Sequence, residues 1–202
     1  MNKPRTKSEE KRKLIIEAAT ELFSELGFAQ TSMDKIAKKA GVSKQTVYSH
    51  FGNKDELFVG AISRKCISHN LRGLVNEKLD DPEQALTALG LSFVEMILTP
   101  EVVAVHRTCI GESESYPHVS ELFYEAGPQR TISEIAACMS EFDKRGLLKI
   151  PDPRFAAAQF LCMVKGEVSI QSELNVEKRL SDETVTAYVH SCVAMFLRGY
   201  GV

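Results

Sequence analysis

From residue 8 to about residue 62 the apolar side chains recur every three or four positions, the period of helices with one face turned to a core. Leu14, Ile15, Ala18, Ala19, Leu22, Phe23 and Leu26 predict a first helix over 8–26, ended by Gly27 and Phe28. Met33, Ile36, Ala37 and Ala40 fall at i, i+3, i+4 and i+7, with Lys35, Lys38 and Lys39 opposite, and predict a short second helix. Thr31 is placed to cap it by accepting the Asp34 N–H, and Gly41 suits the left-handed residue that ends it. Ser43 then caps a third helix over 44–50, whose inward pair is Val47 and Phe51. Asn53, with Glu56 three residues on, reads as the capping box of a fourth helix that continues to about residue 75.

The polar break at 76–82 sets a boundary near residue 75, and everything beyond it also reads as helix. Leu86, Leu89, Phe93, Met96 and Ile97 predict a helix over 83–98, stopped by Pro100. Further helices are expected over 101–115, over 119–145 with a kink or split at Gly127-Pro128, and over 154–173. The last, over 182–198, is capped by Ser181. No stretch carries a strand signal, so the expected fold is all-α. A basic arm and a three-helix helix-turn-helix unit occupy 1–53, a connecting helix 54–75, and a helical domain 76–202.

Composition narrows this only a little. The chain's 44% hydrophobic and 26% charged residues are those of an ordinary globule, with no run of 18 apolar residues and no basic-then-apolar leader. A cytoplasmic protein with no membrane segment is therefore expected. Cys66, Cys109, Cys138, Cys162 and Cys192 are odd in number and never form a Cys-x-x-Cys pair, which argues against a disulfide framework or a structural zinc and fits a reducing compartment. A redox-sensing pair is the less favoured alternative. The charge distribution is more telling than the net −2. Residues 1–54 hold 11 basic against 6 acidic side chains, a surplus of +5 that leaves −7 for the remainder. A basic quarter joined to an acidic body suits a nucleic-acid module attached to a part that stays off DNA.

The outer face of the third helix carries Lys44, Gln45, Thr46, Tyr48, Ser49 and His50. Lysine and tyrosine suit phosphate oxygens, glutamine suits a base edge and threonine either, which makes this a candidate recognition helix for the major groove. The words around it carry a resemblance. Ile36-Ala37-x-x-Ala40-Gly41-Val42-Ser43, Thr46-Val47-Tyr48-x-His50-Phe51 and Asn53-Lys54-x-x-Leu57, preceded by Ile16-x-Ala18-Ala19-x-x-Leu22-Phe23-x-x-x-Gly27-Phe28, closely resemble the DNA-binding domain of the TetR/AcrR family of bacterial transcriptional regulators. Less specifically, Glu112-Ser113-x-x-Tyr116-Pro117, Phe123-Tyr124-x-x-Gly127-Pro128 and Asp152-Pro153-x-x-Ala156-Ala157-x-x-Phe160 resemble the C-terminal domain of its AefR-like branch.

That resemblance implies a regulator, most simply a repressor, that binds a palindromic double-stranded operator as a homodimer paired through its last two helices. A small apolar or aromatic effector held in the C-terminal domain would release it. Position by position, the resemblance puts Thr31, Ser32, Thr46, Tyr48, His50 and Lys54 at phosphates, beside Lys44, Gln45 and Ser49 as candidate base readers and Ser43 at the helix start. Lys54 opposes the dipole of the fourth helix, a placement that a phosphate would explain. Lysine at 44 and glutamine at 45 depart from some relatives, so the operator sequence is not inherited.

Candidate effector-binding residues are Phe93, Met96, His106, Cys109, Ile110, Phe123, Met139, Phe142, Met163 and Glu167, a set that also describes any helical core. No catalytic motif, metal-ligand spacing or cofactor loop stands out: the five histidines never form His-Glu-x-x-His, and Gly-x-Ser-x-Gly is absent. His106 and Cys109, one turn apart, read as core or pocket lining before they read as a metal or thiol–base pair. Two alternatives stay open at this point: an architectural DNA-binding factor of the same fold without an inducer, and a helical carrier or enzyme.

Overall fold

A computed structural model describes residues 7–177 and 180–202, so the basic arm expected at the N-terminus lies, up to residue 6, outside the described residues. The elements are α1 Lys7–Gln30, α2 Met33–Ala40, α3 Lys44–Phe51, α4 Lys54–His69, α5 Leu71–Asn76, α6 Pro82–Ile97, α7 Pro100–Gly111 and α8 Pro117–Tyr124. A π-helical turn Glu125–Gln129 follows, then α9 Arg130–Lys144, α10 Pro153–Glu173 and α11 Asp182–Tyr200. Among the described residues there is no strand, only an isolated bridge between Leu148 and Gly201.

Two compact units form, and they interleave along the chain. The first comprises the residues up to Lys65 together with Pro100–Ala126; the second comprises Cys66–Thr99 and Gly127–Val202. Helices α7 and α8 thus pack with the N-terminal helices, although in sequence they fall beyond the boundary expected near residue 75. In the first unit Ile15, Ala19, Phe23, Phe28, Ile36, Val47, Leu57 and Phe58 share one core with Val105, Cys109 and Val119 of α7 and α8. In the second, Leu86, Leu89, Ile135, Met139, Phe142, Phe160, Val164, Val189 and Phe196 do the same.

Two of the helix boundaries that differ from the periodicity have a clear backbone cause. Helix 4 does not reach residue 75. It stops at Asn70, whose left-handed backbone (φ 45, ψ 42) separates α4 from α5, a conformation that asparagine tolerates better than most residues. Helix 1 is broken where expected, at Gly27 (φ 75, ψ 175), but one further turn to Gln30 follows the break. A Cβ at Gly27 would lie 3.0 Å from the Thr108 methyl of α7, so both the positive φ and the close approach call for glycine. The split expected at Gly127-Pro128 is the π-helical turn, where the Thr131 hydroxyl donates to the Gly127 carbonyl at 3.0 Å.

Candidate nucleic-acid interface

Helices α2 and α3 are set by short-range hydrogen bonds that leave α3 with an open face. Ser32, and not Thr31, caps α2: its hydroxyl accepts the Lys35 N–H at 3.2 Å. Gly41 closes α2 in the left-handed conformation, and Ser43 caps α3 by accepting the Thr46 N–H at 3.1 Å. Val47 and Phe51 turn inward, while Lys44, Gln45, Tyr48 and Ser49 are exposed and Thr46 and His50 half-buried. The Asn53–Glu56 box at the start of α4 also forms. Asn53 Oδ1 accepts the Glu56 N–H at 2.8 Å, and its amide donates to Glu56 Oε1 at 2.9 Å.

The cap at Thr31 fails for a reason that sequence spacing could not show. Thr31 is 1% exposed, and its hydroxyl points back into α1, donating to the carbonyls of Gly27 at 2.7 Å and Leu22 at 3.1 Å. Its side chain is buried and fixes the turn between α1 and α2. Lys54 is engaged in the same turn. Its ammonium donates to Phe28 O at 2.9 Å and Thr31 O at 3.1 Å and sits 4.1 Å from the centre of the Phe28 ring. Burial lowers its pKa from the ordinary 10.5, with neighbouring Asp55 acting the other way. The carbonyls therefore explain a lysine at the positive end of α4 without a phosphate.

Phe28 is the hub of this turn. Its ring stacks on Phe23 at 5.8 Å and meets Phe58 at 5.3 Å and His118 of α8 at 5.8 Å edge to face. The α7 and α8 contributions, Thr108 and His118, come from 80 to 90 residues down the chain, and no local pattern signals them.

Lys44 is tied back in the free protein, its ammonium 2.8 Å from Asp34 Oδ1, and this pairing raises its pKa. Both side chains are more than half exposed, so the pair is easily exchanged for another anion. Lys39 likewise pairs with Glu21 at 2.6 Å.

The ten candidate effector residues divide between the units. His106, Cys109, Ile110 and Phe123 lie in the first, and Phe93, Met96, Met139, Phe142, Met163 and Glu167 in the second. His106 and Phe123 stack with ring centres 5.6 Å apart, and burial, assisted by Glu112, pushes the Cys109 thiol up to about 12. Met139 and Phe142 are fully enclosed core, whereas Ile110 and Glu167 are exposed, the latter accepting from the Gln171 amide at 2.9 Å. Met163 lines an open apolar groove of about 510 Å³ between α10 and α11, with Gln159, Cys162, Met195, Phe196 and Tyr200. The Tyr188 hydroxyl of α11 donates to the Met163 carbonyl at 2.9 Å, beside the bend in α10 at Gly166. No group of three or more metal-ligating side chains converges among the described residues. Likewise, no single helix there is long and apolar enough to cross a membrane.

Comparison with known proteins matches both parts of this architecture. Residues 15–61 match the bacterial regulatory proteins of the tetR family, and residues 84–202 match the C-terminal domain of the AefR-like transcriptional repressors. An HTH-type transcriptional repressor of Mycobacterium tuberculosis is 30% identical over 185 residues, 91% of each chain. For several other curated relatives the likeness is much shorter. An uncharacterized HTH-type regulator of Bacillus subtilis is 51% identical over 49 residues, which span 26% of that protein. Among solved structures, a TetR-family transcriptional regulator from Mesorhizobium loti superposes with a TM-score of 0.81 at 30% identity, over 98% of this chain and 100% of that one. The flavonoid-responsive regulator FrrA does so with a TM-score of 0.72 at 33% identity, over 96% and 98%. A capped helix pair with an open polar face, a basic end and likeness along the whole chain have one common explanation: this protein belongs to the TetR family of bacterial transcriptional regulators, with an AefR-like C-terminal domain.

Proposed function

We propose that this protein is a cytoplasmic homodimeric repressor that reads a palindromic operator with α3 and is released by a small apolar or aromatic effector. The observation that carries the reading is the exposed face of α3, where Gln45 and Ser49 face outward for base edges and Lys44 can join them by exchanging Asp34 for DNA. Ser32, Ser43, Thr46, Tyr48 and His50 flank them for phosphates. Thr31 and Lys54 position these residues from the turn behind. Two copies of α3 must lie about 34 Å apart, or a multiple of it, to enter successive major grooves on one side of the duplex. The spacing is set by how the protomers pair. Helix α4 runs from the first unit into the second, so an effector that moves its far end alters that spacing without touching the reading face. The flavonoid-responsive relative supports an aromatic effector.

Selection of bound fragments from random DNA tests the reading. The expected outcome is one two-fold symmetric sequence; a pool of unrelated fragments would contradict a specific operator.

Pairing through α10 and α11 is supported by the apolar groove they share and by Phe155, Ile170 and Met195, all more than half exposed. Cys162 provides a direct check, being the exposed one of the five thiols. At neutral pH it should react with a thiol reagent ahead of buried Cys109 and Cys138, whose pKa values are pushed up to about 12 and about 11. Raising the protein concentration through the dimerisation range should slow Cys162 alone. A Cys162 rate independent of concentration would place the dimer interface elsewhere.

A further inference from the structure

We infer that Arg12 of α1 is an additional phosphate-binding residue, held ready at the C-terminal end of the reading helix. The inference rests on the DNA-binding reading and extends its surface to a helix not so far included. The Arg12 guanidinium lies 4.7 Å from the centre of the Phe51 ring, the last residue of α3. That ring is a fixed platform. Phe51 is 4% exposed, and its edge lies where a Cβ on Gly60 of α4 would approach to 3.3 Å. A guanidinium held over an aromatic face by a cation–π contact can still present N–H groups in the fork geometry that suits a phosphate.

The surroundings separate Arg12 from several other cations of this unit. Lys13 pairs with Glu17 at 3.5 Å, Lys35 donates to the Gln30 carbonyl at 2.9 Å, Lys39 and Lys44 pair with Glu21 and Asp34, and Lys54 is held by two carbonyls. Arg12 is exposed, and no hydrogen bond or ion pair among the described residues engages it, although Glu9 lies one turn before it on the same helix. Its position is pre-set while its donors are unused. Because Phe51 directly follows Ser49 and His50, the guanidinium sits beside the end of α3 opposite the Ser43 cap. It therefore serves the backbone at the far edge of the groove that α3 enters.

The test compares the full-length protein with Arg12→Gln, Arg12→Lys and the control Lys13→Gln, measuring affinity against salt for the selected operator and for a mixed-sequence duplex. Arg12→Gln should weaken both duplexes by a similar factor, about tenfold near physiological salt, and reduce the salt slope of the dimer by about 2, one phosphate per protomer. Arg12→Lys should recover the slope, since the charge returns, and Lys13→Gln should change neither quantity appreciably. An unchanged slope in Arg12→Gln, whether or not its melting temperature falls, would overturn the inference and leave the cation–π contact with Phe51 as a purely structural one. A wild-type protein whose binding is insensitive to salt would instead count against the DNA-binding reading itself.

Discussion

Replacing Phe58 by alanine is expected to cost about 3–5 kcal/mol, enough to remove much of the 5–15 kcal/mol that holds a typical domain together. The ring is 1% exposed and meets Phe23 at 5.1 Å and Phe28 at 5.3 Å, both edge to face. Truncation therefore opens a cavity and removes two favourable aromatic contacts at once. Phe28 carries the carbonyl that Lys54 grips, so the loss passes from the core to the turn that seats α2. Hydrogen exchange of the amides in α1 to α4 reports this unit by itself, and protection there should fall by two to three orders of magnitude or more, in line with that cost. Tyr48→Ala is the contrasting case, because that ring is 43% exposed on the reading face. It should leave protection within about 0.5 kcal/mol of wild type while weakening DNA binding. Near-wild-type protection in Phe58→Ala would show that the three-ring cluster is not the centre of this core.

The second large effect is expected at Lys54. Lys54→Met keeps the apolar stem but withdraws the shared donor from the Phe28 and Thr31 carbonyls, each a charge-assisted bond in a half-buried turn. With α2 less firmly seated, affinity should drop roughly 10- to 100-fold on every DNA sequence alike. The salt slope decides the mechanism. If Lys54 acts through the turn, the slope stays at its wild-type value; if its ammonium meets a phosphate, the dimer's slope falls by about 2. The carbonyl contacts predict the first result.

These two residues also show where the sequence was legible and where it was not. Helical periodicity found the short helices because Ile36, Ala37 and Val47 make local stripes whose neighbours lie three or four positions away. Serine and asparagine caps were readable for the same reason, as were the stops at Gly27 and Pro100. The cap of α2 falls on Ser32 rather than on Thr31 because adjacent hydroxyls have equal claims to a cap until the chain's entry angle is known. That angle depends on carbonyls of α1, nine residues back for Leu22. Lys54 looked free for the same kind of reason: its partners lie 26 and 23 residues away. Helix 4 appeared continuous because Asn70 breaks the backbone without breaking the apolar pattern. The interleaving of the two units, with α7 and α8 packed among the N-terminal helices, depends on tertiary contacts that leave no periodic trace. For the effector candidates, chemistry alone did not separate pocket lining from core, and Met139 and Phe142 proved to be core.

In the function proposed above, the open face of α3 reads sequence while the surrounding charge supplies affinity. This division is tested most directly by one ratio, the affinity for the selected symmetric operator over that for a scrambled duplex of equal length at physiological salt. The expected ratio is about 1,000 or more for the wild-type protein, with Gln45→Ala lowering it through relaxed preference at one base pair of each half-site. A ratio near one, with strong binding to both duplexes, would show that this face attaches to DNA without reading it.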